Sequence, residues 1–143
     1  MIWYNGNKPP IEALNSVSAN TLVAHLDIKI ESVDDDSLTG SMPVDARTHQ
    51  PYGILHGGAS VVLAETLGSL GSSMCVDIAR FNVVGLDINS NHIRAVRDGR
   101  VTAIAKPLHH GRRTHDWSIE QQDDRQRLTT VSRMTMAILE RSE

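Results

Sequence analysis

The chain has 143 residues, which suits one domain and leaves no room for a second with its own core, so residues 1–143 are expected to form a single unit. With 40% hydrophobic and 22% charged residues it has the composition of a folded protein rather than a disordered one. A net charge of -3 argues against nucleic acid or an anionic membrane as the general partner, because both require a broad basic surface.

The single Cys75 excludes an internal disulfide, and its setting, Gly71-Ser72-Ser73-Met74-Cys75-Val76, reads as a packed small hydrophobe rather than a nucleophile. No apolar stretch approaches the roughly 20 residues of a membrane helix. The start lacks the cationic, apolar and small-residue pattern of a leader, so the cytoplasm is the expected compartment.

Taken in chain order, Pro9-Pro10 is a good place for a helix to begin, and Ile11 to Asn20 is predicted as a short one. Ala24, Leu26, Ile28 and Ile30 then alternate with other residues, the period of a half-buried strand. Asp34-Asp35-Asp36 marks a turn; it lacks the Gly and later Glu of a calcium loop, so a solvated hairpin turn is the reading. A second strand follows through Leu38, Gly40, Met42 and Val44.

From Gly57 to about Val76 the sequence is free of Pro and rich in Ala, Leu and small residues, which predicts one helix. Small residues at Ala59, Ser60, Ala64, Gly68, Ser69, Gly71 and Ser72 let other backbones approach from more than one side, so this helix is expected to be enclosed. Four strand-like segments come next: Val83 to Arg94, Arg100 to Leu108, Thr114 to Gln122, and Arg127 to Leu139. Turn signals at Arg97-Asp98-Gly99, His110-Gly111-Arg112 and Asp123-Asp124 separate them, and links this short imply antiparallel pairing. The expected class is α+β, a six-stranded antiparallel sheet wrapped around one long central helix.

The chemistry concentrates in Gln50-Pro51-Tyr52-Gly53-Ile54-Leu55-His56-Gly57-Gly58, followed by Glu65 and Ser69. A helix starting at His56-Gly57-Gly58 presents free N–H groups and the positive end of its dipole, and Gly leaves room for a ligand. Such an end can polarise a carbonyl oxygen. Glu65 stands among Leu63, Ala64 and Leu67, so a carboxylate there is expected to be compensated or to have a raised pKa, and either suits a base or nucleophile. Ser69 lies one turn on, where its hydroxyl could orient Glu65 or a water.

Spacing adds a demand. Gly57 and Glu65 lie roughly 12 Å apart along one helix at about 1.5 Å per residue, whereas catalytic contacts need roughly 3 Å. If both act on one carbonyl they belong to two different chains, related by a two-fold axis. A lone Glu on a buried helix could otherwise be half of a structural ion pair.

Residues 50 to 69, with Val84-Gly85-Leu86-Asp87-Ile88-Asn89-Ser90-Asn91-His92, resemble the hotdog-fold thioesterases of the phenylacetate and Arthrobacter-type 4-hydroxybenzoyl-CoA thioesterase group, and nearly the whole chain fits. Within that group, the opening Met1-Ile2-Trp3, Met42-Pro43-Val44-Asp45 and His56-Gly57-Gly58 are similar to the bacterial 1,4-dihydroxy-2-naphthoyl-CoA hydrolases of menaquinone synthesis. The resemblance implies that Glu65 is nucleophile or general base and Gly57 the backbone donor to the thioester oxygen. It further implies that Gln50 and His56 place the thioester and that Ser69 assists Glu65. It implies CoA contacts at Gly85, at His92, Ile93, Arg94 and Ala95, and on the turn His109, His110, Gly111, Arg112, Arg113 and Thr114. It also implies a homodimer, arranged as a dimer of dimers and so a homotetramer.

Charge agrees with a CoA dock, since from His92 to Arg113 the chain carries Arg94, Arg97, Arg100, Lys106, Arg112 and Arg113 against the single acid Asp98. His92 and Arg94 share a strand parity. Zinc binding by His109, His110 and His115 is a poor alternative, because adjacent His rarely share one site; no metal and no cofactor is expected, the CoA thioester being the substrate. With few aromatics, the acyl pocket is expected to be lined by aliphatic residues such as Ile54, Leu63 and Met74. Two competing readings are a non-catalytic acyl-CoA-binding protein, which would have no need of Glu65, and a hotdog hydratase or dehydratase, whose characteristic Asp and His motif is absent here.

Overall fold

The computed structural model describes residues 1–142. Pro10 leads into helix α1 (Ile11–Ser16), which stops short of the predicted Asn20. Leu22–His25 forms a second short helix, α2, where the first strand was predicted to begin. The alternation misled because Leu26, Ile28 and Ile30 are all buried, yet the strand starts only at Lys29. Asp27, at φ 53, turns the chain between the two.

Strand β1 (Lys29–Val33) pairs with β2 (Leu38–Pro43) through the acidic turn, closed by Asp34 N–H donating to the Ser37 carbonyl at 2.9 Å. The buried Trp3 pins the N-terminal segment to the same turn, its indole N–H donating to the Asp34 carbonyl at 2.6 Å. The long helix α3 (Gly57–Met74) follows, then β3 (Phe81–His92), β4 (Arg100–His110), β5 (Thr114–Asp123) and β6 (Leu128–Glu140). They form one six-stranded sheet in the order β1-β2-β4-β5-β6-β3, with every pairing antiparallel. This is the predicted class and architecture.

Helix α3 packs against β2, β3, β4, β5 and β6. Its sheet-facing stripe is Ser60, Leu63, Ala64, Leu67, Gly68, Gly71 and Ser72, at the three- and four-residue spacing of one helical face. A Cβ added at Gly68 would lie 2.6 Å from Met134 Sδ, and one at Gly71 would lie 2.8 Å from the Trp117 ring. Two hydrogen bonds fix the register of helix on sheet: Trp117 Nε1 donates to Ser72 Oγ at 2.7 Å and Gln121 Nε2 to the Ser60 carbonyl at 2.7 Å.

Enclosure on more than one side is not what the fold provides. The sheet covers one face of α3, while Val61, Val62, Thr66, Ser69, Leu70 and Ser73 are half-buried and Glu65 is exposed. Leu63 and Glu65 are two residues apart, roughly 200° around the helix, so the same turn that buries one presents the other. Strand β3 forms one edge of the sheet, with Val84 and Leu86 exposed on it. Among the described residues, no helix is long and apolar enough to cross a membrane.

Candidate active site

The loop before α3 is held by several ties. Arg47 forms an ion pair with Asp45 at 2.7 Å, and its hydrogen bonds hold the Asp45 carboxyl well below the usual carboxylate range, at about 2. Thr48 Oγ1 donates to the Pro43 carbonyl at 2.9 Å, and the Thr48 carbonyl accepts from His56 N–H at 2.8 Å. Gln50 N–H donates to the Ile54 carbonyl at 2.9 Å, and the Gln50 side-chain carbonyl accepts from Tyr52 N–H.

These ties deliver His56 to the helix start, where it is the N-cap: its Nδ1 accepts from Gly58 N–H at 2.8 Å. The N–H groups of Ala59 and Ser60 both return to the His56 carbonyl, at 3.0 and 3.2 Å. That leaves Gly57 N–H as the helix-end donor without an acceptor among the described residues. His92 on β3 sits over Gly57, since a Cβ there would lie 2.8 Å from the imidazole Nε2. Glycine at 57 thus keeps both the donor and the imidazole within reach of the same space.

A cavity of about 280 Å³ opens at this point, lined among others by Gln50, Gly57, His92, Ile93, Arg94 and Ala95. One chain therefore assembles Gln50, Gly57 and the 92–95 segment, with the His56 cap beside them. Strand β3 ends at His92, so Arg94 does not share its parity as predicted; Ile93 and Arg94 N–H both donate to the Thr129 carbonyl, at 2.8 and 3.2 Å, and the chain leaves the sheet. Ser60 and Thr130 also line the cavity, and the sequence pointed to neither. Thr130 is there because β6 pairs it with His92, a register no local pattern reveals.

Glu65 stands apart from this cluster. It lies two turns along α3, roughly 12 Å from Gly57, and its side chain makes no hydrogen bond or ion pair among the described residues. Its expected burial is corrected by the open face on which it sits. Gly85 lies beneath it: a Cβ at Gly85 would be 2.9 Å from Glu65 Oε1. Ser69 is not joined to Glu65; its hydroxyl contacts Met136 Sδ at 3.9 Å, because the helix turns it toward β6.

The remaining candidates gather at the other end of α3. His110, Gly111, Arg112 and Arg113 line a cavity of about 990 Å³ together with Arg80 and Phe81 at the start of β3. His109 and Thr114 flank it on the same β4–β5 turn. Arg80 was not singled out, having no basic neighbours in sequence. The 92–95 segment and the 109–114 turn thus lie at opposite ends of β3, roughly 36 Å apart at about 3.3 Å per residue. The expected aliphatic pocket does not assemble either: Leu63 is in the sheet-facing core, Ile54 is beside Gln50, and Met74 is at the far end of the helix. Among the described residues, no three His, Cys, Asp or Glu side chains converge as metal ligands.

Residues 52–130 match the thioesterase superfamily. The chain belongs to this family. The 1,4-dihydroxy-2-naphthoyl-CoA hydrolase of Escherichia coli is 50% identical over 139 residues, 97% of this chain and 100% of that one. The proofreading thioesterase EntH of Cronobacter turicensis is 45% identical over 97% of this chain and 99% of its own length. A crystallised mutant thioesterase from Pseudomonas aeruginosa superposes with a TM-score of 0.96 at 48% identity, covering 99% of this chain and 100% of that chain. With relatives this similar over nearly their whole length, the chain is an acyl-CoA thioesterase, a hydrolase of the thioester bond.

In this thioesterase one histidine of the β4–β5 region carries a stability signature. His115 is buried, its Nδ1 has no hydrogen-bond partner among the described residues, and its ring packs tilted against that of His110 with centroids 4.3 Å apart. Burial first, then the neighbouring His110, pushes its pKa down from 6.5 to about 4. The unfolded chain therefore binds a proton that the folded chain refuses between those values, and the stability this neutral ring contributes is lost as pH falls through that window. Urea unfolding from pH 7 to pH 4.5 is expected to show the native chain losing about 2 kcal/mol more than His115→Gln. Identical pH slopes for the two proteins would contradict this.

Proposed function

We propose that the chain hydrolyses aryl- or acyl-CoA thioesters with Glu65 as the catalytic carboxylate, in a site completed by a second copy of itself, and that its acyl substrate is 1,4-dihydroxy-2-naphthoyl-CoA of menaquinone synthesis. One observation carries the reading: the unpartnered Gly57 N–H faces a cavity beside Gln50 and His92, while the unpartnered Glu65 lies two rigid turns away on the same helix. A thioester held by that N–H in one chain is out of reach of the same chain's Glu65. An antiparallel helix from a second copy would bring the missing carboxylate.

The edge strand supplies the means. Strand β3 leaves its outer backbone groups unpaired along twelve residues, more than natural sheets usually leave bare. Pairing β3 with β3 of a second copy about a two-fold axis sets the His92 end of one chain against the Phe81 end of the other. The Arg94 segment of one copy and the Arg112-Arg113 turn of the other then flank a single CoA, which accounts for their separation within one chain. A dimer of such dimers remains the expected assembly.

In the reaction, Gly57 N–H donates to the thioester oxygen and stabilises the charge that develops there. Glu65 either attacks the carbonyl carbon, forming an acyl anhydride and releasing CoA thiolate, or takes a proton from a water that attacks it. In the first route a water then hydrolyses the anhydride and frees Glu65, so both routes end in a carboxylate and CoA. Gln50 and His56 place the thioester, His56 by holding the helix start. The naphthoyl assignment is supported by the name and 50% identity of the Escherichia coli relative.

Glu65→Gln is expected to keep the fold by circular dichroism and to lower turnover of an aryl-CoA by about 100-fold or more; near-normal turnover would sink the assignment of Glu65 as the catalytic carboxylate. Arg94→Ala and Arg112→Ala are expected to raise KM for CoA thioesters several-fold more than for pantetheine thioesters, which lack the nucleotide phosphates. Equal losses on the two substrates would place the phosphates elsewhere.

A further inference from the structure

We infer that Gly85 is a positioning residue for Glu65: the missing side chain on β3 is the seat of the carboxylate. This rests on the reading of Glu65 as the catalytic carboxylate.

The glycine is not required by the backbone. Gly6, Gly53 and Gly99 are the glycines at positive φ, and Gly85 is not among them, so an alanine there would be conformationally ordinary. What it lacks is room. Its Cβ would stand 2.9 Å from Glu65 Oε1 and 3.5 Å from Met134 Cε. The first separation is shorter than van der Waals contact, and the atom that must yield is the free end of a side chain that nothing else in the chain holds. The fold can absorb the methyl; the carboxylate cannot stay where it is.

The strand is also shaped at this point. Gly85 pairs with Met136 and Asp87 with Thr135, so Leu86 is an extra residue, a bulge directly after the glycine. Bulges bend an edge strand and re-aim its side chains, and they recur beside active sites. Here the bulge and the glycine together shape the strand surface bordering Glu65. The Glu65 carboxylate thus relies on clearance rather than on a hydrogen bond for its place, which leaves both oxygens free for the substrate carbonyl or a water.

The test is a double-mutant cycle of Gly85→Ala and Glu65→Gln, with benzoyl-CoA as the probe. Gly85→Ala is expected to fold, with an unchanged circular dichroism spectrum, and to lose about 10- to 100-fold in kcat with KM within about twofold, since small misplacements of a reacting group cost that much. In the Glu65→Gln background the same substitution is expected to change turnover by less than about twofold. A raised KM with kcat intact would make Gly85 a CoA contact and overturn the inference, as would an equal loss in both backgrounds or a Gly85→Ala chain that fails to fold. A large loss in Glu65→Gln with no coupling to Gly85 overturns this inference alone, whereas near-normal turnover in Glu65→Gln overturns the reading of Glu65 as well.

Discussion

Helix α3 approaches the sheet so closely that Gly68 and Gly71 have no space for a methyl group, Met134 and Trp117 filling the positions a Cβ would take. Contact at that range turns eighteen residues into a rigid rod with a fixed rotation, because any twist would drive Leu63, Leu67 or Ser72 out of the core. The buried bonds from Trp117 to Ser72 and from Gln121 to Ser60 lock it at two heights. Everything about the site follows from that rod. Its first residue presents a bare N–H, its ninth presents a bare carboxylate, and the distance between them cannot change.

A rigid separation of this kind converts a local pattern into a statement about assembly. The sheet closes over one face of α3 and leaves the other partly uncovered, and Glu65 on that face borders Gly85 of β3, the long edge strand of the sheet. The opposite edge, β1, is only five residues long and is interrupted by a bulge. The two segments proposed to contact CoA are likewise divided between the ends of β3. The proposed pairing with a second copy about a two-fold axis would cover the helix face and the bare edge and join the two halves of the proposed site.

Much of this is legible in the residues themselves. The Gly57-Gly58 pair after a polar loop marks a helix start, the absence of Pro to Met74 marks its length, and the Gly- and Asp-containing turns mark the ends of the last four strands. Only β4, β5 and β6 are joined as hairpins, whereas the Arg97-Asp98-Gly99 link is a crossover, because β3 pairs with β6 and not with β4. The acid at 65 is visible as a charge in an apolar run. Its exposure is not visible, because burial on a helix depends on which faces find partners, and a single chain covers only one. Leu26 and Ile28 mimic a strand for the same reason: alternation records burial, and a turn at Asp27 can produce it without a sheet. Thr130 and Ser60 enter the cavity through the register of β6 against β3 and through helix rotation, both set by long-range contacts. Ile54, Leu63 and Met74 share an aliphatic character but not a place.

The claim on which the account turns is that each working site combines Gly57 of one chain with Glu65 of another, and complementation measures it directly. Glu65→Ala removes the carboxylate and leaves the helix start intact; Gly57→Val blocks the approach of the carbonyl and leaves Glu65. Each variant alone carries only defective sites. After co-refolding, a mixed dimer has one site with both parts intact and one with neither, so activity is expected to return towards about one working site per mixed dimer. A mixture as inactive as its parents, with mixed dimers confirmed by mass spectrometry and both variants folded by circular dichroism, would contradict the shared site.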